Sequence, residues 1–201
     1  MDQSFEGGEM AEVVLYHHVQ GLTEGVLAFA DELRQQGHTV HTPDLFDGRT
    51  FGTVGEGLAF ADQAGFDALV ERGVAAADKT GSDAVFAGFS FGVMVAQRLA
   101  QTRPGASGAV LVSAALPASE FGGSWPPGVR LQIHMMENDE LGGEDLPAAR
   151  ELAATVEGAE LFLYPGDRHL FADSSLPDYD QAAAELLMKR MLALLADVDT
   201  R

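Results

Sequence analysis

The chain contains no cysteine, which excludes a disulfide framework, a thiolate metal site and a cysteine nucleophile. Basic residues are also scarce: 12 Lys and Arg stand against 31 Asp and Glu, for a formal charge of −19. That balance repels phosphate backbones and anionic bilayers, so neither nucleic acid nor a membrane is an expected partner. It also keeps a protein soluble, and composition alone points to no particular partner or oligomeric state. No apolar run approaches the roughly 20 residues that a membrane-spanning helix needs. Residues 1–12 carry Asp2, Glu6, Glu9 and Glu12 and no Lys or Arg. They therefore lack the basic segment of a secretory signal, and a cytoplasmic location is the expectation.

What remains is ordinary globular material. At 201 residues, 46% hydrophobic and 21% charged, the chain has the length of one domain with a substantial core. The expected organisation is a flexible lead over residues 1–12 and a single domain over 13–201. Short apolar runs at 13–16, 38–42, 84–87, 109–113, 129–135 and 160–164 read as strands. Helical spacing recurs at 22–36, 58–78, 93–100, 146–156 and 179–195, and residues 44–57 and 116–128 read as irregular loops. Strands alternating with helices imply parallel pairing through right-handed crossovers, hence a three-layer α/β/α sandwich with a mostly parallel sheet. Ligands in such folds bind at the carboxyl ends of the strands.

Gly88-Phe89-Ser90-Phe91-Gly92 fits G-x-S-x-G and lies between a predicted strand and a predicted helix, the context in which this pentapeptide forms a nucleophile elbow. The glycines leave room for a sharp turn that exposes Ser90 in a strained backbone conformation. The Phe91 amide then sits at a helix N-terminus, able to donate to an oxyanion. A competing reading makes Ser90 a helix cap in a glycine-rich turn.

A serine needs a base. His169 follows the last predicted strand, in a loop at the carboxyl end of the sheet, where an imidazole can accept and return the Ser90 proton. The base needs an acceptor for its other nitrogen. Asp139 follows the strand at 129–135 and gives the chain order Ser, Asp, His; Glu137, Glu140 and Asp167 compete with it.

With these pieces in place, the sequence resembles the dienelactone hydrolase family of the α/β-hydrolase fold, over residues 13 to about 195. The resemblance rests on Val14-Leu15-Tyr16-His17-His18-Val19-Gln20-Gly21, Thr42-Pro43-Asp44-Leu45-Phe46, the elbow, Glu137-Asn138-Asp139, and Gly166-Asp167-Arg168-His169-Leu170-Phe171. It implies that the Val19 amide is a second oxyanion donor. The family's best-known members differ in having a cysteine nucleophile tuned by a glutamate, where this chain has Ser90 and His18. They also bind a substrate carboxylate through arginines, one of them where this chain has Asp173. The expectation is therefore a serine hydrolase that cleaves a small neutral ester, thioester or lactone through an acyl-enzyme. The alternative is a hydrolase-fold protein that binds a small molecule or partner without turnover.

Two further residues are candidates for substrate contact. Adjacent residues of a strand point to opposite faces, so His17 and His18 are poorly placed to share a metal; His18 is expected to line the pocket and no metal or other cofactor is implied. Trp125, in a loop rich in Pro and Gly, either lines the substrate site or packs on the rim of the domain.

Overall fold

The computed structural model describes residues 10–198. Most of the expected flexible lead, residues 1–9, lies outside them; Glu12 is already the first residue of a strand. Six strands, β1 (Glu12–Tyr16), β2 (Thr39–His41), β3 (Val85–Phe89), β4 (Gly108–Val112), β5 (Arg130–Met136) and β6 (Glu160–Tyr164), are interspersed with six α-helices, two of them between β2 and β3 and none between β4 and β5. The helices are α1 (Glu24–Gln35), α2 (Val54–Ala64), α3 (Phe66–Ala76), α4 (Gly92–Thr102), α5 (Leu146–Thr155) and α6 (Gln181–Val198). All strands pair in parallel, in the order β2-β1-β3-β4-β5-β6. The architecture is a three-layer α/β/α sandwich of the α/β-hydrolase type.

The central strands β3 and β4 are apolar throughout because both of their faces are covered. Every residue of β3 and β4 is buried. Along β1, Val14 and Tyr16 join one core with α3, α4 and α5, whereas Val13 and Leu15 join the other with α1 and α6. Phe86 against Val85 and Ala87, and Leu111 against Val110 and Val112, divide in the same way. Period-two alternation thus serves two cores. Each fully buried Leu, Val or Phe contributes about 1.5–3 kcal/mol through removal from water.

Helix boundaries follow local chemistry. The Thr23 side chain caps α1 by accepting from the Val26 amide, and Val26, Phe29, Ala30 and Leu33 bury one face of it. The expected long loop at 44–57 ends early, because Thr53 and Glu56 form a capping box that starts α2. The single helix expected over 58–78 is two helices. Gly65, at φ +88, ends α2 and begins α3, a conformation that costs a glycine little.

The chain leaves β1 toward β2 on one side and returns to place β3 on the other. The carboxyl ends of β1 and β3 therefore flank the topological switch point, where open α/β sheets form their ligand crevice. Among the described residues no helix is long and apolar enough to cross a membrane.

Candidate active site

Ser90 directly follows β3, with φ +49. That left-handed conformation in a non-glycine residue stores about 1–3 kcal/mol, and the two neighbouring glycines make the turn feasible. A Cβ on Gly88 would lie 2.4 Å from the Gly92 carbonyl carbon, and one on Gly92 would lie 2.4 Å from the Tyr16 carbonyl oxygen. The elbow is thus wedged against the end of β1. Among the described residues neither the Phe91 nor the Val19 amide has a hydrogen-bond acceptor. Both residues line the same cavity as Ser90.

From Ser90 a chain of hydrogen bonds runs across the carboxyl end of the sheet. Ser90 Oγ lies 2.7 Å from His169 Nε2, and His169 Nδ1 lies 2.6 Å from Asp139 Oδ2. Since the carboxylate accepts from Nδ1–H, the Nε2 lone pair faces the serine hydroxyl. Burial alone would push the Asp139 carboxyl up; the hydrogen bond and charge of His169 and the amides of Gly142 and Leu141 outweigh it and hold the group below the usual range. It is accordingly ionised at neutral pH. Of the competing carboxylates, Glu137, Glu140 and Asp167 are exposed, while Asp139 is buried against the imidazole.

The His169 loop is fastened from below. Ser113, at φ +66 after β4, donates from its hydroxyl to the His169 carbonyl at 2.5 Å. Sequence reasoning missed Ser113; its one signal was a polar residue at the carboxyl end of an apolar strand. Asp145 was also missed. It is half-buried in the wall of the Ser90 cavity, and burial pushes its carboxyl up, a shift that the amide of Ala115 opposes. The cavity itself is small, about 210 Å³, and its walls include Val54, Leu58, Phe66, Met94 and Leu141. Among the described residues no Lys or Arg lines it.

Two expectations are corrected. His18 does not line this cavity: it is 1% exposed, with Nε2 2.7 Å from Asp173 Oδ2 and Nδ1 accepting from the Gln20 amide. The turn after β1 folds its imidazole inward, toward the buried Asp173 carboxylate. His17 is buried as well; its Nδ1 donates to the His18 carbonyl and its Nε2 accepts from the Leu45 amide. Burial pulls His17 down to about 4, so it stays neutral. Trp125 is also elsewhere. It stands in a groove of about 810 Å³ with Pro126, Pro127 and Glu157, and its indole donates to the Val129 carbonyl at 2.8 Å. This loop feeds the start of β5 and so belongs to the amino end of the sheet, opposite Ser90. Among the described residues no three His, Asp or Glu side chains converge as metal ligands.

Several solved structures share this fold. A dienelactone hydrolase-like promiscuous phosphotriesterase from metagenomic libraries is 19% identical, covering 96% of this chain and 88% of that one, with a TM-score of 0.73. A thioesterase domain from the curacin biosynthetic pathway is 16% identical, covering 92% of each chain, with a TM-score of 0.63. The esterase PE8 is 18% identical, covering 94% of each, with a TM-score of 0.60. Among curated proteins, none matches the sequence significantly. The model of the dienelactone hydrolase family matches residues 6–198, nearly the whole chain, so the chain belongs to the dienelactone hydrolase family and is a hydrolase acting on ester bonds.

Proposed function

We propose that this protein is a serine hydrolase that cleaves a small, uncharged carboxylic ester, thioester or lactone by way of an acyl-enzyme. The observation that carries the reading is the unbroken line Ser90 Oγ to His169 Nε2 and His169 Nδ1 to Asp139 Oδ2, at 2.7 and 2.6 Å, beginning on an elbow serine at φ +49. Ser90 Oγ attacks the substrate carbonyl while its proton passes to His169 Nε2. Asp139 stabilises the resulting imidazolium and keeps it oriented. The carbonyl oxygen becomes an oxyanion, held by the Phe91 and Val19 amides. Collapse expels the alcohol or thiol, which takes the proton from His169. A water molecule, deprotonated by the same nitrogen, then attacks the acyl-enzyme, releasing the acid and restoring Ser90.

The substrate class follows from the cavity. Its apolar walls suit a short acyl chain, and a volume of about 210 Å³ is below the range of drug-sized ligand sites. With no Lys or Arg among the described lining side chains, nothing in the cavity pairs with an anionic substrate, and an uncompensated buried charge costs several kcal/mol.

Fluorophosphonate labelling tests the reading. One covalent adduct per chain is expected, lost in Ser90→Ala, together with hydrolysis of short p-nitrophenyl esters. Folded wild-type protein that neither labels nor hydrolyses any of a panel of esters, thioesters and lactones would instead favour a binding protein without turnover.

A further inference from the structure

We propose that the buried His18–Asp173 pair is a positioning element for the reaction, holding the turn that carries the Val19 amide in register with the elbow at Ser90. The inference rests on the acyl-transfer reading of Ser90.

The turn at residues 17–21 must present one peptide N–H to a developing oxyanion, and donors act there only within about 2.7–3.1 Å. A free loop would not hold that tolerance. Here the two residues flanking Val19 are both anchored. His18 binds Asp173 through Nε2 at 2.7 Å and accepts the Gln20 amide at Nδ1, 3.2 Å. Gln20 in turn donates through its side chain to the Phe51 carbonyl at 2.9 Å. The Val19 N–H belongs to the His18–Val19 peptide, whose carbonyl accepts from His17 Nδ1 at 2.7 Å, while the His18 imidazole ties the residues on either side of Val19 to each other and to Asp173. On the far side, Gly57 of α2 packs so close that a Cβ would lie 2.1 Å from the Val19 carbonyl oxygen.

Asp173 is the hub of this arrangement. Its Oδ2 also accepts from the Thr23 hydroxyl at 2.5 Å, and its Oδ1 accepts from the Ser175 amide and hydroxyl at 2.8 and 2.6 Å. Gly25 leaves the carboxylate room at the start of α1, where a Cβ would lie 1.7 Å from Oδ1. The acceptor thus joins the segment after β1 to the segment after β6, which also carries His169. Neither His18 nor Asp173 reaches the cavity that Ser90 and His169 line. They act through Val19, as positioning residues.

The test is steady-state kinetics on p-nitrophenyl acetate, with fluorophosphonate titration of active sites so that rates are expressed per competent serine. His18→Leu removes the donor to Asp173 and should lower kcat about ten- to a hundred-fold, the scale of a misplaced oxyanion donor. KM should stay within about threefold, because ground-state binding in the apolar cavity is untouched. His18→Gln, which retains an N–H able to reach Asp173, should restore most of the rate; a purely structural defect would lower the titrated fraction rather than the rate per site. Should His18→Leu not fold, Thr23→Ala loosens the same carboxylate more gently and should cost about three- to tenfold in kcat. A native kcat per titrated site in His18→Leu, or in Thr23→Ala where only that variant folds, overturns the positioning role and leaves the hydrolase reading intact. Wild-type protein without labelling or hydrolysis overturns both.

Discussion

Two histidines at the carboxyl end of this sheet each face a buried aspartate, at 2.6 Å for His169 with Asp139 and 2.7 Å for His18 with Asp173. Carboxylate, imidazole, burial and sheet end are alike in the two pairs. What separates them is the second nitrogen. In His169 the carboxylate takes Nδ1 and leaves Nε2 on the Ser90 hydroxyl, at the wall of a cavity. In His18 the carboxylate takes Nε2, and the backbone of Gln20 closes off Nδ1. A His–Asp pair is therefore no mark of catalysis by itself. One couple is open toward a hydroxyl; the other is closed, with both ring nitrogens engaged inside the protein.

The sharpest way to break this comparison is to disable the open pair. His169→Ala should lower kcat on a short acyl ester by about ten-thousand- to a million-fold, the range found when the base of a serine hydrolase is removed. Asp139→Asn keeps the shape but favours the wrong imidazole tautomer, and should cost about a thousand- to ten-thousand-fold. Both are read as kcat per folded protein, with circular dichroism as the check on folding. A loss from Asp139→Asn no greater than that from His18→Leu would erase the distinction between the pairs.

That distinction was only half legible in the sequence. The elbow is local, so Gly88, Ser90 and Gly92 could be read from spacing, and the contacts that forbid a Cβ at either glycine give the physical reason. The layer order followed from alternation of strand and helix. His169 and Asp139 followed from their position after strands, although Glu137, Glu140 and Asp167 could be set aside only once burial was known. His18 and Asp173 are 155 residues apart, and nothing in periodicity tells an inward-folded histidine from one that lines a pocket. Trp125 was ambiguous for a similar reason: a Pro- and Gly-rich loop announces irregularity but not which end of the sheet it belongs to. The capping box at Thr53 and Glu56 was readable in principle and was hidden by the Gly- and Asp-rich segment before it.

The open pair also depends on the elbow's fit. Gly92→Ala would drive a methyl group against the Tyr16 and His17 carbonyls, and neither strand end can yield without disturbing the sheet. A loss of about 3 kcal/mol in urea unfolding is expected, at the upper end for overpacking. A native midpoint would mean that β1 and α4 are less tightly wedged than their contact distances indicate.

The closed pair has its own signature in acid. Burial tends to raise the Asp173 carboxyl, but hydrogen bonds from His18, Ser175 and Thr23 outweigh it and hold the group at about 2. A carboxylate depressed in the folded state stabilises above its unfolded value, 3.8, and that contribution fades as pH falls through the folded value. The window is therefore pH 4 to 2, and the loss about 2 kcal/mol. Denaturant midpoints across that range should fall more steeply in wild type than in Asp173→Asn. Parallel curves would show that the pair contributes no differential proton binding.

The smallest effect is expected at the opposite end of the sheet. The groove around Trp125 is nearly four times the volume of the Ser90 cavity, about 810 against 210 Å³, so size alone would choose it as the substrate site. Its chemistry argues otherwise. It holds no serine, histidine and carboxylate in sequence, and its indole is bound to the Val129 carbonyl. Trp125→Ala should thus leave kcat/KM on short esters within about twofold of wild type, since no contact with the reacting groups is removed. A loss of tenfold or more, with the folded fraction unchanged, would mean that this groove communicates with Ser90 across the full length of β5, and the division of labour between the two ends of the sheet would have to be redrawn.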